Sequence, residues 1–160
     1  RWRIPAVSTS CATTTCPLMA QLTAPDPRVS ERMRRVRTRG TGPERRVRSR
    51  LRAQGIRYTS RTADLPGRPD VVVPAVRLAI FVDGCFWHGC PRCFRAPRTN
   101  RAWWARKIAE NRRRDRRKDA ALRARGYSVL HIREHEEDAR IDRRIATAIS
   151  RRTNGGCQSR

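Results

Sequence analysis

Leu78-Ala79-Ile80-Phe81-Val82, followed at once by Asp83-Gly84-Cys85, is the stretch that decides the fold. Five apolar residues in a row, short and bounded by turn formers, read as a strand buried on both faces. Working outward, Leu65-Pro66-Gly67-Arg68-Pro69 is a turn, and Asp70 opens a β-branched run, Val71-Val72-Val73. Further upstream, Ile56 to Thr59 reads as a short strand. Pro43-Glu44 marks a helix start, carried by Val47 and Leu51 at i, i+4 until Gly55. Downstream, a Cys-rich, Trp-containing loop runs from Asp83 to about Asn100. A long helical pattern, Ala102 to Arg125, then stops at Gly126. Ser128 to Ile132 is another strand, and Ile141, Ile145 and Ile149 predict a closing amphipathic helix. This order predicts an α/β fold, a central mixed β-sheet flanked by helices, in one domain over residues 29–150. Residues 1–28, rich in Ser, Thr and Pro, read as a disordered tail, and 151–160 as a flexible end. The basic stretch from Val29 to Gly42 is suited to becoming a helix on DNA, with Met33 and Val36 three apart on one side.

The chain has 160 residues, room for one ordinary domain. It carries 38 Lys and Arg against 14 Asp and Glu, a formal charge of +24. Lys107 and Lys118 are the only lysines; part of the arginine excess is discounted as genome composition. What remains points to a polyanion, because arginine pairs with phosphate in a bidentate fork. The charge leaves room for a small-molecule enzyme but ranks nucleic acid first. The hydrophobic share of 38% is below that of ordinary globular chains, in keeping with an unfolded tail. No apolar run approaches the ~20 residues of a membrane span. The opening Arg1-Trp2-Arg3 leads into Pro, Ser and Thr, not into the apolar core of a signal peptide. The first residue is not Met, so the expected start lies elsewhere, with Met19 one candidate. A reducing cytosol is therefore expected, where six cysteines favour metal over disulfides.

Four groups of residues carry chemistry. Cys85-x4-Cys90-x2-Cys93 offers three thiolates within nine positions, and zinc asks for four tetrahedral S or N ligands. His88, His131 and His135 are the candidates for the fourth; the bland reading is three reduced thiols in a loop. Asp70 precedes a strand, as does the metal-binding Asp in nucleases of the restriction-endonuclease-like fold, where a hard cation activates water against a phosphodiester. Taken alone, it reads better as a turn cap. Trp104, Ile108, Asn111 and Asp115 are spaced by 4, 3 and 4 and share one helix face. Asp115 fits either an ion pair with the neighbouring arginines or a polar cleft whose arginines grip phosphates. Phe86-Trp87 and Trp103-Trp104 are either core or an aromatic surface that stacks on bases.

With these residues assembled, the sequence resembles the Vsr-type very short patch repair endonucleases. The resemblance spans about Ser30 to His135. It rests on Leu65-Pro-Gly-Arg-Pro-Asp70, on Ile80-Phe-Val-Asp-Gly-Cys-Phe-Trp-His-Gly-Cys90, and on Trp104 with Lys107-Ile108, Asn111 and Asp115. Gly126-Tyr-Ser-Val-Leu130 and Glu134-His135 complete it. It implies a DNA-nicking enzyme of the restriction-endonuclease-like fold with a structural zinc. Such an enzyme recognises the T·G mismatch left by 5-methylcytosine deamination and cuts 5′ of the T.

Carried over by motif, Asp70 and the Val82 backbone carbonyl would ligate catalytic Mg²⁺. His88 would be the acid/base group, with Asp115 and Glu44 in support. Phe86, Trp87 and Trp104 would form an intercalating wedge, with Met33 and Val36 approaching from the opposite groove and Asn111 also at the DNA. Zinc would then take Cys85, Cys90, Cys93 and His135. The implied partner is mismatched double-stranded DNA, met by a monomer in the bacterial cytoplasm, with a functional link to a DNA cytosine-5 methyltransferase.

Departures from the family pattern leave alternatives. Asp83 stands where some members have a His near the metal, so it is either a further metal-shell group or an outward polar residue. Family members also differ in which zinc positions are Cys and which His. Competing readings are a nuclease of the same fold with another DNA substrate, a zinc-stabilised module that only binds DNA, and an RNA-binding protein.

Overall fold

The computed structural model describes residues 40–98 and 100–155. Met33, Val36 and the N-terminal segment lie outside them. Helix α1 spans Gly42–Ala53 and strand β1 Val71–Val73. A 3-10 turn at Pro74–Val76 leads to β2, Leu78–Asp83. Helix α2 runs Arg101–Ala124, β3 Ser128–Arg133 and α3 Asp138–Gly155. The sheet order is β1-β2-β3, antiparallel for the first pair and parallel for the second. The expected mixed sheet is therefore present, with three strands among the described residues.

The alternation of side chains along the strands sorts the helices into two layers. Val71, Val73, Leu78, Ile80 and Ile132 face one side. There they pack with Val47 and Leu51 of α1 and Ile141 and Ile145 of α3. Val72 and Ala79 face the other, against Leu122 of α2, with Phe81 and Val129 beside them. β2 is thus covered on both faces, as its unbroken apolar run requires.

Local chemistry fixes the element ends. Thr41 and Glu44 form a reciprocal capping box: the Thr41 side chain accepts from the Glu44 N–H, and the Glu44 carboxylate accepts from the Thr41 N–H. Gly126, at φ +79°, ends α2, and the Tyr127 N–H donates to the Leu122 carbonyl at 3.0 Å.

Two boundaries differ from the sequence expectation. Residues 56–59 do not form a strand; they meet the sheet in one bridge, Thr59 to Val72. The Thr59 hydroxyl accepts from the Arg61 N–H at 3.1 Å, and this local turn competes with further pairing. Ile56 and Tyr58 still pack against the core. At the other end, α3 continues to Gly155 and so includes residues assigned to a flexible end. Arg152 holds it down by donating to the carbonyls of Val76 and Gly126.

Leu51 is wholly buried where α1 meets the sheet and α3. Leu51→Ala is expected to cost about 2–5 kcal/mol in denaturant unfolding, the range for a buried Leu that leaves a cavity. A loss below about 1 kcal/mol would mean that this layer is not tightly packed.

Candidate active site and metal centre

The parallel register brings the ends of β2 and β3 together, Asp83 beside Arg133. Two residues beyond each end stand Cys85 and His135. The loop then folds back on itself, with the Cys90 N–H donating to the Cys85 carbonyl at 2.9 Å. His135 Nδ1 lies 2.9 Å from Cys85 Sγ, 3.2 Å from Cys93 Sγ and 3.8 Å from Cys90 Sγ. All four donor atoms fall within 4.8 Å of one another. Three sulfurs and one imidazole nitrogen at this spacing match a closed tetrahedral zinc site. Burial, with Cys93 and Cys90 alongside, pushes the Cys85 thiol up to about 12. Coordination by zinc would replace the proton that Cys85 otherwise retains. The two other histidines considered as ligands lie elsewhere: His131 is held by aspartates, and His88 projects toward α2.

The cluster is braced from both sides. Glu134 accepts from the Cys85 N–H at 2.8 Å, tying the loop to the end of β3. From α2, Arg112 donates to the carbonyls of His88 and Gly89, and Asn111 to that of Trp87 at 3.1 Å. Gly89 has φ +56°, and a Cβ there would sit 2.8 Å from Ile108. The loop therefore lies too close to the helix for any side chain at this position.

Beside the metal centre opens a cleft of ≈ 720 Å³ whose walls include Glu44, Asp70, Val82, Trp87, His88 and Asp115. Asp70 reaches it from the start of β1. Its N–H donates to the Ile80 carbonyl at 3.0 Å, and its Oδ2 accepts from the Val82 N–H at 2.7 Å. His88 Nδ1 stands 3.1 Å from Asp115 Oδ2, and His88 Nε2 stands 3.8 Å from Asp83 Oδ1. Asp115 Oδ1 accepts from Lys118 Nζ at 3.2 Å, and among the described residues no arginine pairs with it. Its buried Oδ2 has no aligned hydrogen-bond donor among the described residues. Glu44 lines the same cleft, with its carboxylate committed to the α1 cap and to Arg48.

The aromatic residues gather at the loop–helix junction. Phe86 meets Trp104 edge-on, with ring centroids 5.0 Å apart, and Trp87 edge-on at 5.4 Å. Trp104 is buried at 6% exposure, whereas Phe86 and Trp87 are half-exposed. Trp104 therefore supports the pair from beneath. Asn111 has both ends of its amide engaged, by Trp87 and by Arg114, and it fixes the Trp87 backbone.

Sequence reasoning missed a second histidine in the cleft. His131 Nδ1 lies 2.9 Å from Asp83 Oδ2, and its Nε2 lies 3.1 Å from Asp119 Oδ1. Asp119 follows Asp115 by four residues, one helical turn, and that spacing was the available signal. The Asp83 and Asp119 hydrogen bonds and charges raise His131 to about 9 against the opposing effect of burial. For Asp83, burial alone would raise its pKa, but the His131 hydrogen bond and the charges of His131, His88 and Arg133 together outweigh it and hold the carboxylate below its ordinary value.

The site thus joins a carboxylate-lined cleft, a Cys3His cluster that could hold a metal ion and a helix studded with arginine. The sequence profile of the DNA mismatch endonuclease Vsr matches residues 23–93. The type II nicking enzyme V.XorIIP of Xanthomonas oryzae is 48% identical over 102 residues, 62% of this chain and 74% of the relative. The type II nicking enzyme V.NaeI of Lentzea aerocolonigenes is 42% identical over 113 residues, 68% of each. The DNA mismatch endonuclease Vsr of Escherichia coli is 43% identical over 105 residues, 64% of this chain and 67% of the relative. This chain belongs to the Vsr family of DNA mismatch endonucleases. Its class is therefore that of a DNA endonuclease, a hydrolase of DNA repair that acts on mismatched DNA. No helix among the described residues is long and apolar enough to cross a membrane.

Two outcomes are expected from this geometry. Purified protein should contain about one zinc per chain by elemental analysis, and Cys90→Ser should lose most of it. Retention of full stoichiometry would exclude this ligand set. The His131 contacts also give stability a pH dependence. A raised folded-state pKa stabilises fully below the ordinary 6.5, and that contribution disappears as pH rises through about 9. Melting temperature measured against pH should fall more steeply between 6.5 and 9 for the native chain than for His131→Gln; parallel curves would contradict it.

Proposed function

We propose that this chain nicks the T-containing strand 5′ of the T in a T·G mismatch, the product of 5-methylcytosine deamination. The reaction is Mg²⁺-dependent phosphodiester hydrolysis, the opening step of very short patch repair. The observation that carries this reading is the convergence of Asp70, His88 and Asp115 in one cleft, next to the half-exposed Phe86 and Trp87. A restriction-endonuclease-like core accords with an Asp at the head of one strand facing the backbone of the next.

The donor set suits a hard cation, since the carboxylates of Asp70, Asp83 and Asp115 line one cleft. Asp70 and the Val82 carbonyl would hold Mg²⁺, which when bound polarises the phosphate and makes its water more acidic. His88 takes a proton from the attacking water as its oxygen adds to phosphorus. One P–O ester bond breaks, and the leaving oxygen takes a proton from solvent. Asp115 orients the His88 ring through Nδ1, and Glu44 keeps the end of α1 in place at the cleft wall. Phe86 and Trp87, with Trp104 behind them, wedge between base pairs. That costs a few kcal/mol of unstacking, least where pairing is already imperfect. Arginines on the outer faces of α2 grip phosphates and set affinity without reading sequence.

Met33 and Val36 are assigned to the opposite groove. The chain acts as a monomer on DNA in the bacterial cytoplasm and is linked functionally to a cytosine-5 methyltransferase. The type II nicking enzymes among its relatives support cleavage of a single strand.

A labelled duplex with one T·G mismatch, in varied flanking contexts, tests the proposal. Zinc-loaded protein with Mg²⁺ should nick it 5′ of the T, leave the matched duplex intact and be silenced by EDTA. Asp70→Ala should lose cleavage by at least about 100-fold while binding the duplex as before. Unchanged nicking by this variant would overturn the metal assignment. Binding without a nick in every context would favour the DNA-binding module, and nicking only of other DNA would favour a different substrate.

A further inference from the structure

The cleft holds a chain of side chains in which the proposed reaction uses His88 and Asp115 but gives Asp83, His131 and Asp119 no work. Its five members alternate in charge type from α2, through the metal loop and β2, to β3 and back to α2: Asp115, His88, Asp83, His131, Asp119. The separations are 3.1 Å, 3.8 Å, 2.9 Å and 3.1 Å. Asp83 uses its two oxygens differently: Oδ2 meets His131 and Oδ1 faces His88. The His131 ring is fixed on three sides. Asp83 and Asp119 take its two nitrogens, and Phe81 stacks against it with ring planes 17° apart. The β2–β3 register enforces this, because Phe81 and His131 are direct partners in the ladder. Asp119 is in turn held by Arg123, one turn further along α2.

We propose that His131, clamped between Asp83 and Asp119, is a positioning residue for the nuclease centre: it fixes the Asp83 carboxylate so that its free oxygen faces His88. His88 is then flanked on both sides, by Asp115 3.1 Å from Nδ1 and by Asp83 3.8 Å from Nε2, the second too long for a hydrogen bond, so that Nε2 keeps its lone pair for the attacking water. The physical need is plain. Asp70, Asp83, Asp115 and Asp119 all line one cleft, and carboxylates brought into a shared site repel. With both ring nitrogens directed at carboxylates, His131 separates two of the four and ties each to a defined rotamer. Without it, Asp83 is free to turn, and His88 loses one of its two fixed neighbours. A displacement of about 1 Å in a reacting group can cost as much as ~100-fold in rate. The proposal rests on His88 being the acid/base group, and it assigns His131 no contact with DNA.

The test compares single-turnover nicking of the T·G duplex with duplex affinity, for the native chain, His131→Ala, Asp83→Ala and the double variant. His131→Ala is expected to slow nicking by about tenfold or more while Kd for the duplex stays within about twofold. In the Asp83→Ala background, removing His131 should change the rate by no more than about twofold, because the two act as one unit. Multiplying losses would mean that His131 acts independently of Asp83, and a matching loss of affinity would make it a binding or purely structural residue. Either would overturn the proposal. Asp119→Asn, which keeps the side-chain shape, reads the same effect in smaller measure if His131→Ala does not fold. ¹⁵N spectra of the histidine rings give a readout that does not need cleavage. The Nε2 signal of His88 should move in His131→Ala and move the same way in Asp83→Ala. An unmoved His88 signal sinks the positioning role even if the native chain nicks the mismatch. A moved signal in a chain that cuts no T·G duplex keeps it and removes only the substrate assignment.

Discussion

The parallel pairing of β2 with β3 is the constraint on which the rest of the structure depends. It sets Asp83 beside Arg133 and Phe81 beside His131. Every group of chemical interest lies on those strands, just beyond their ends, or on elements braced against them. Cys85 and His135 leave the ladder two residues past its last pair and meet at 2.9 Å. A slip of one residue would turn His131 to the opposite face, toward the Val47–Ile145 layer, and leave Asp83 without its partner. Such a slip is opposed by burial, because it would also exchange Ile132, which is 1% exposed, for polar side chains.

The metal loop and α2 form the second level of this arrangement. Arg112 and Asn111 hold the backbone carbonyls of Trp87, His88 and Gly89, and Glu134 holds the start of the loop. One short segment thus carries three of the four candidate metal ligands, the aromatic pair and His88. A metal held by the Cys3His cluster at one end would stiffen the other, where the His88 ring stands among carboxylates. This economy explains why residues of quite different chemistry, thiols, indoles and an imidazole, are packed into so few positions.

Helix α2 has a mixed task, and that explains its uneven face pattern. Trp104, Ile108 and Leu122 are buried, and Asn111 is buried with them because its amide is fully hydrogen-bonded. Asp115 and Asp119 continue the inward line but meet the cleft instead of the core. The arginines fill the remaining circumference. A helix assembled this way has a poor apolar stripe, and it stays in place through hydrogen bonds to the loop as well as through Leu122.

The sequence alone determined the order of the helices and of the three strands, the buried central strand, the start of α1 at Pro43-Glu44 and the three-thiol spacing. Each depends on short-range properties such as period, turn chemistry and ligand spacing. It also carried the resemblance that separates His135 from the other histidines. Tertiary structure decided what depends on register and on contacts across the sheet. Residues 56–59 form a single bridge because Thr59 turns the chain locally. Trp104 lies beneath Phe86 and Trp87, and Asn111 serves the loop backbone, because α2 packs at the angle that Gly89 permits. His131 was legible only as a histidine in a strand. Its place between Asp83 and Asp119 arises because residues 48 and 12 positions away are brought to it by strand pairing and by one helix packed across the sheet.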